Sequence, residues 1–437
     1  MKPATQQRPH GPVPAQHRLN FLHLYADIAW YGVLSGSAIT FVAVFAARQG
    51  ATALQIGLLT AGPAVMNLFF TLPAGQWLKQ QPVDKAVFWT SIFHRLFYLT
   101  WVLLPLFFSP AGQVWGLILL TLLMSVPGTG LAVGFNALFA AAVPPEWRGH
   151  VVGIRNALLS ITFIITSLLS GYILTRWPGE FGYQIVFTIG FVGAMLSSLH
   201  LWFVRPQLSG ELVGNGRSLG DQARPGWRGW ADGIKTSVGL RFLTSGEKRP
   251  SLLPNRHIWR GPFAPILGLL FGFHLAQFLA IPIFPLHWVD VLQLNDQVIG
   301  WGTAVFWLAV LIGSTQLAQL TDRYGNKRLM VIGTFTMSLY PALLAVSHNV
   351  EMYLLTSAVG GFSWSIVGGA IANYILERIP EGERPEHLAW YNLVLNAAIL
   401  LGSLGGPLLA HQVGLITSLW ITAVARGLIA LGFWKWG

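Results

Sequence analysis

The chain has 437 residues, of which 53% are hydrophobic and only 10% charged, where a soluble globular protein carries about 25% charged residues. With 19 Trp and 48 Gly as well, a soluble domain is excluded and a polytopic membrane protein is implied. There is no cysteine, which excludes disulfides, thiolate metal sites and thiol nucleophiles, and in a membrane chain the net charge of +11 speaks to sidedness rather than to nucleic acid.

Residues 1–20 are polar and do not have the form of a cleavable signal, so the first helix is expected to remain in the mature protein. Each crossing of ~30 Å of hydrocarbon needs about 20 apolar residues. Charges and turn residues punctuate the chain at that interval and predict twelve spans. The first six cover 21–47, 54–78, 85–108, 112–143, 150–176 and 181–204. The second six cover 262–288, 297–321, 327–347, 350–377, 386–411 and 413–436. Pro73, Pro127 and Pro282 fall within spans, where bilayer helices tolerate them as kinks.

The predicted organisation is an N-terminal tail (1–20), a six-helix half (21–204), a hydrophilic central loop (205–261) and a second six-helix half (262–437). The loop holds ten Lys and Arg against Glu211, Asp221, Asp232 and Glu247. Within it, Trp227, Trp230, Ile234, Val238 and Phe242 recur at spacings of three and four, as in an interfacial amphipathic helix. Its many glycines fit a disordered basic linker equally well. If the N-terminus is inside, 22 of the 27 Lys and Arg fall on inner segments, only Arg48 and Arg176 on outer ones, and Arg95, Arg155 and Arg426 within spans. That asymmetry puts both termini in the cytoplasm of a multi-pass cell-membrane protein.

The two halves share a pattern. Pro144, Arg148 and Asn156, after span four, meet Pro380, Arg384 and Asn392, after span ten, at a constant offset of 236. The same spacings at the same topological place read as a six-plus-six duplication.

Between spans eight and nine the chain reads Ala318, Gln319, Leu320, Thr321, Asp322, Arg323, Tyr324, Gly325, Asn326, Lys327, Arg328. Gly325 allows a tight turn, and Asp322 sits among the cations Arg323, Lys327 and Arg328. This segment resembles the cytoplasmic signature Gly-x-Leu-x-Asp-Arg-x-Gly-x-Lys/Arg-Arg of the major facilitator superfamily (MFS), with Ala318 in place of the first Gly. The resemblance implies an all-α membrane fold of twelve transmembrane helices, arranged as two pseudo-symmetric six-helix bundles. It also implies rocker-switch alternating access, with this loop latching one conformation and Asp322 facing the start of span eleven near Glu386. The first-half copy is degenerate: Gly75 and Trp77 remain, but Lys79, Gln80, Gln81 and Pro82 replace the acid, the arginine and the turn glycine. The arginine that many family members carry in span four is missing, and span five lacks the Gly-Pro signature of drug antiporters.

A charge within a span is costly unless it faces the bundle interior or water, so each is a functional candidate. Asp27, about 10 Å along span one, is the one intramembrane acid and the candidate for proton coupling. Its alternative role is a salt bridge to Arg95 or Arg155. Arg95, about 15 Å into span three, needs an acceptor, which can be structural, a lipid head group or a substrate anion. Arg426 in span twelve has the same options, whereas Arg155 is expected to snorkel to the inner interface. His274 and Gln277 share a face of span seven and, with Trp364 and Asn396, are candidates for the substrate pathway; polar contacts between helices are the alternative for each. No metal-ligand spacing, P-loop or catalytic constellation occurs, so neither a cofactor nor an enzyme is expected.

The function expected is secondary active transport, with proton-coupled efflux of an amphipathic small molecule by a monomer as the leading form. Uptake of a sugar or organic anion, lipid translocation and a non-transporting scaffold are the alternatives.

Overall fold

The computed structural model describes residues 15–206, 258, 261–380 and 384–437, without the side chains of 15–16 and 384–386. The amphipathic stretch from Trp227 to Phe242 and most of the N-terminal tail lie outside the described residues. Hydrocarbon offers no partner to a free amide or carbonyl, so every span is helical. The first half consists of α1 (His17–Arg48), α2 (Ala53–Leu78), α3 (Val83–Phe107), α4 (Pro110–Ala142), α5 (Arg148–Arg176) and α6 (Glu180–Phe203). The second half begins with α7 (Ala264–Val291). Next comes a 50-residue run, Asp296–Ala345, in which Gly325 has φ 76° and ψ 159°. That residue separates α8 (296–324) from α9 (326–345). The chain closes with α10 (Val350–Leu376), α11 (His387–Val413) and α12 (Leu415–Trp436). Twelve spans result, and α1 begins ahead of the expected residue 21.

The duplication is visible in local geometry. One turn of π-helix interrupts α1 at Ser35–Ile39 and another closes α7 at His287–Val291, the first spans of the two halves. In the repeated motif the carbonyl of Asn156 accepts from Ser160 Oγ at 3.0 Å, and the carbonyl of Asn392 accepts from Asn396 Nδ2 at 2.8 Å. Arg148 folds back to donate to the carbonyls of Ala140 (2.8 Å) and Val143 (3.2 Å), which satisfies the C-terminus of α4. Pro144 ends that helix, and the exposed Pro380 follows α10 in the same way.

The halves join through α2 against α11 and α5 against α8. Both contacts use glycine. A Cβ on Gly57 would run into the Ser403 carbonyl and come within 2.7 Å of Pro407 Cγ, and one on Gly300 would lie 2.7 Å from the Ser167 carbonyl. Such approaches are how helices associate in lipid, where there is little hydrophobic drive between them. The joint lies toward the end of the molecule away from the termini. There, one buried apolar cluster takes Phe41, Phe45 and Phe187 from the first half together with Ile283, Leu286 and Tyr353 from the second. At the end that carries the termini the cores are separate. Phe21, Leu24, Leu138 and Trp147 form one, and Phe263, Leu267, Met330 and Phe433 form the other. A bond between the halves seals the far end: Arg48 Nη2 donates to the Leu294 carbonyl at 2.5 Å and lies 3.2 Å from Asp296 Oδ1. Among the described residues the halves thus share a core at the far end and keep separate cores at the end that carries the termini.

Replacing Gly57 by Leu is expected to wedge α2 from α11 and cost about 1–3 kcal/mol, as overpacking does. Thermal unfolding of the purified variant checks this, and an unchanged midpoint would show that the contact is not tight.

Candidate functional site

Asp27 lies on α1, one helical turn short of Tyr31, and only 3% of it is exposed. Three helices bring partners to its carboxylate. Arg155 Nη1, from α5, is 3.2 Å from Oδ2; Arg95 Nη2, from α3, is 3.9 Å from Oδ1; and Ser197 Oγ, from α6, donates to Oδ1 at 2.5 Å. The expectation that Arg155 snorkels is corrected, because it is 8% exposed and turns inward. It donates to the Leu24 carbonyl at 2.5 Å and stacks 4.8 Å from the Phe135 ring centre. A buried charge across the bundle holds a guanidinium more firmly than a distant interface does.

Arg95, 3% exposed, also donates to Ser198 Oγ at 2.8 Å and to the Ala194 carbonyl at 3.1 Å. Ser198 in turn lies 2.6 Å from Ser91. Ser197 and Ser198 were not singled out in the sequence; two adjacent serines in an apolar helix are the signal that marks them. The cluster carries two cations against one anion, so one positive charge is left over.

Asp27, Arg95 and Arg155 border a cavity of about 570 Å³ in the first half. Its other walls are mostly apolar and aromatic, with Tyr31, Tyr98, Trp101 and Phe135 among them. Asn67 and Thr129 add a hydrogen-bonded pair at 2.8 Å. Within the lining, Asp27 is the one acid among the described residues.

A second cavity of about 380 Å³ lies mainly in the second half and reaches Thr40 of α1 and Phe163 of α5. Gln277 and Trp364 line it. His274 does not, for it turns to Tyr391 on α11 with its Nε2 3.2 Å from the phenol oxygen. Residues three apart on a helix still differ by about 60° of arc, enough to separate this pair. Asn396 borders neither cavity and bonds to its own helix. Arg426 of α12 borders the second cavity.

The loop between α8 and α9, expected to act as a latch, is described in part. Gly325 makes the left-handed turn, and the Arg323 guanidinium lies 5.3 Å from the Tyr324 ring centre. Asp322 and Arg328 are exposed and Lys327 is half-buried. Asp322 makes no ion pair with a described residue, and the side chains of Arg384 and Glu386, where its partner was expected, lie outside them. What ties the loop down is Asn326, whose Nδ2 donates to Glu377 Oε1 at the end of α10, 2.6 Å away.

The sequence profile of the Major Facilitator Superfamily matches residues 28–276 and 266–436. The chain belongs to the major facilitator superfamily. Among solved MFS structures, the xylose transporter XylE from E. coli, in a partially occluded inward open conformation, superposes with a TM-score of 0.66 over 97% of this chain and 98% of XylE at 14% identity. The nucleoside transporter NupG gives a TM-score of 0.63 over 95% of this chain and 98% of NupG, also at 14% identity. In sequence, the chain is 28% identical to the quinolone resistance protein NorA of Staphylococcus aureus over 129 residues, which is 29% of this chain and 33% of NorA. The match thus spans about a third of that relative's length. Membership of the superfamily makes this protein an integral membrane protein of multiple spans.

Removing Asp27 as Asp27→Leu leaves two buried guanidiniums without their acid and should cost about 3–5 kcal/mol. Adding Arg155→Met should recover part of that loss. Unfolding of the single and double variants measures both, and additive losses would show that the pair is not coupled.

Proposed function

We propose that the protein is a secondary active transporter that expels an amphipathic small molecule in exchange for protons, working as a monomer by alternating access. The observation that carries this reading is the first-half cavity, whose apolar and aromatic wall is interrupted by a single acid held between arginines. An apolar cavity with a few convergent polar groups suits a small amphipathic ligand. An acid on that wall can exchange a proton with whichever side has access. The partial likeness to a quinolone resistance protein supports outward transport.

The excess of Lys and Arg on the segments that share a side with the termini supports a cytoplasmic location for both ends of the chain. In that orientation the end with separate cores faces the cytoplasm, and the Arg48–Asp296 contact lies at the outside. Rocking the halves about the α2–α11 and α5–α8 contacts then exchanges the open side. The Asn326–Glu377 bond acts within the second half and fixes α9 to α10 during that motion.

The two arginines favour a second reading, proton-linked uptake of an organic anion. A proton on Asp27 frees Arg95 and Arg155 from their counter-charge, and an anion can then replace it.

Proteoliposomes with an imposed pH gradient distinguish the two. For exchange, a fluorescent quinolone should enter when the lumen is the acidic side, because protons leave as the substrate enters; for proton-linked uptake the acidic side must be outside. Asp27→Asn should remove the dependence on pH, an effect of about 5–150-fold for a typical coupling, while leaving exchange of substrate without a gradient. Full gradient-driven transport by Asp27→Asn would overturn the assignment of Asp27.

A further inference from the structure

Arg426 stands 11 residues into the 22-residue α12, about 16 Å from its start, and is 2% exposed. Its guanidinium donates from Nη1 to the Met337 carbonyl at 3.0 Å and from Nη2 to the Gln277 carbonyl at 3.4 Å. Its Nε has no partner. Among the described residues no acid forms an ion pair with it, and it is the only charged side chain on the wall of the second cavity. In the first half the same problem is met by Asp27; here the described residues supply two backbone carbonyls and the nearby phenol of Tyr340, none of them an acid. A buried charge without an acid is expensive, and an ionisable residue at mid-membrane depth is by default a candidate for a functional site.

The rest of the wall indicates what kind of anion fits. Trp288, Phe306, Trp307, Tyr340 and Trp364 line the same space. Phe163 of the first half packs at a tilt against Trp307 with ring centres 4.6 Å apart, which brings the cavity to the boundary between the halves. The Oε1 atom of Gln277 is buried and unpartnered at the wall. Aromatic side chains present faces and edges to a flat ring. A guanidinium pairs with a carboxylate through charge-assisted hydrogen bonds, and with Nε enclosed by protein the terminal nitrogens of Arg426 are the ones that can offer them. One uncompensated cation calls for one negative charge. At about 380 Å³, the cavity falls within the range of ~300–1,000 Å³ usual for small-molecule sites.

We propose that the second-half cavity binds an aromatic monocarboxylate, with Arg426 receiving the carboxylate and the surrounding Trp, Tyr and Phe side chains receiving the ring. This names a substrate class for the transporter proposed above and rests on that reading. The anion completes the charge balance of α12, and because the cavity reaches Phe163 and Thr40 it reports its occupancy to the first half.

The test is calorimetric titration of the full chain in lipid nanodiscs, without any gradient, using naphthoate, its neutral amide and naphthylmethylammonium. Naphthoate should bind at least about tenfold more tightly than either of the others, and Arg426→Met should weaken naphthoate at least about tenfold while leaving the amide unchanged. Equal binding of acid and amide, tighter binding of the cation, no naphthoate binding at millimolar concentration, or unchanged naphthoate affinity in Arg426→Met would each overturn the proposal. Should Arg426→Met fail to fold, the wild-type ligand series decides, supported by Trp364→Leu, which should weaken the acid and the amide alike. Intact naphthoate binding with no pH-driven transport would sink the transporter reading alone. Intact transport without naphthoate binding would sink this site alone.

Discussion

The two halves of this transporter share a core at one end and not at the other, and most of the remaining architecture follows from that. At the far end α2 meets α11 and α5 meets α8 closely enough that Gly57 and Gly300 have no room for a side chain. The apolar cluster there draws on both halves. Toward the termini each half closes on its own core, so the space between them is free to open on that side. The polar part of that joint, Arg48 with Asp296, adds little, since exposed ion pairs are worth little, so the apolar cluster and the close glycine contacts hold the halves together.

Electrostatics divides the halves that the repeat makes alike. In the first half one carboxylate offsets two guanidiniums, and serines from α6 complete the shell. In the second half a single guanidinium rests on two backbone carbonyls. Both clusters carry a surplus positive charge next to an aromatic cavity. The molecule thus offers two places where negative charge is stabilised, one governed by an internal acid and one open to an external partner.

The motifs of the loops do mechanical work at the helix ends. Arg148 caps α4 through two carbonyls, which stiffens the turn into α5, the helix that also carries Arg155. Gly325 reverses the chain between α8 and α9, and Asn326 beside it anchors α9 to α10. The first-half counterpart, without a turn glycine, is held instead by Arg205 and Asp84 at 3.0 Å.

The sequence by itself determined the number of spans, the twofold repeat, the turn at Gly325 and where charges fall within spans, because hydropathy and spacing are properties of the chain taken in order. It also marked Asp27 and Arg95 as residues in need of partners. Only the tertiary structure decided who those partners are. Arg155 lies near an inner end in sequence yet turns across the bundle to Asp27, His274 parts from Gln277 to meet Tyr391, and Arg426 meets no acid among the described residues. Each outcome depends on how helices far apart in sequence are rotated against one another, and close packing sets that rotation through contacts that no local pattern records.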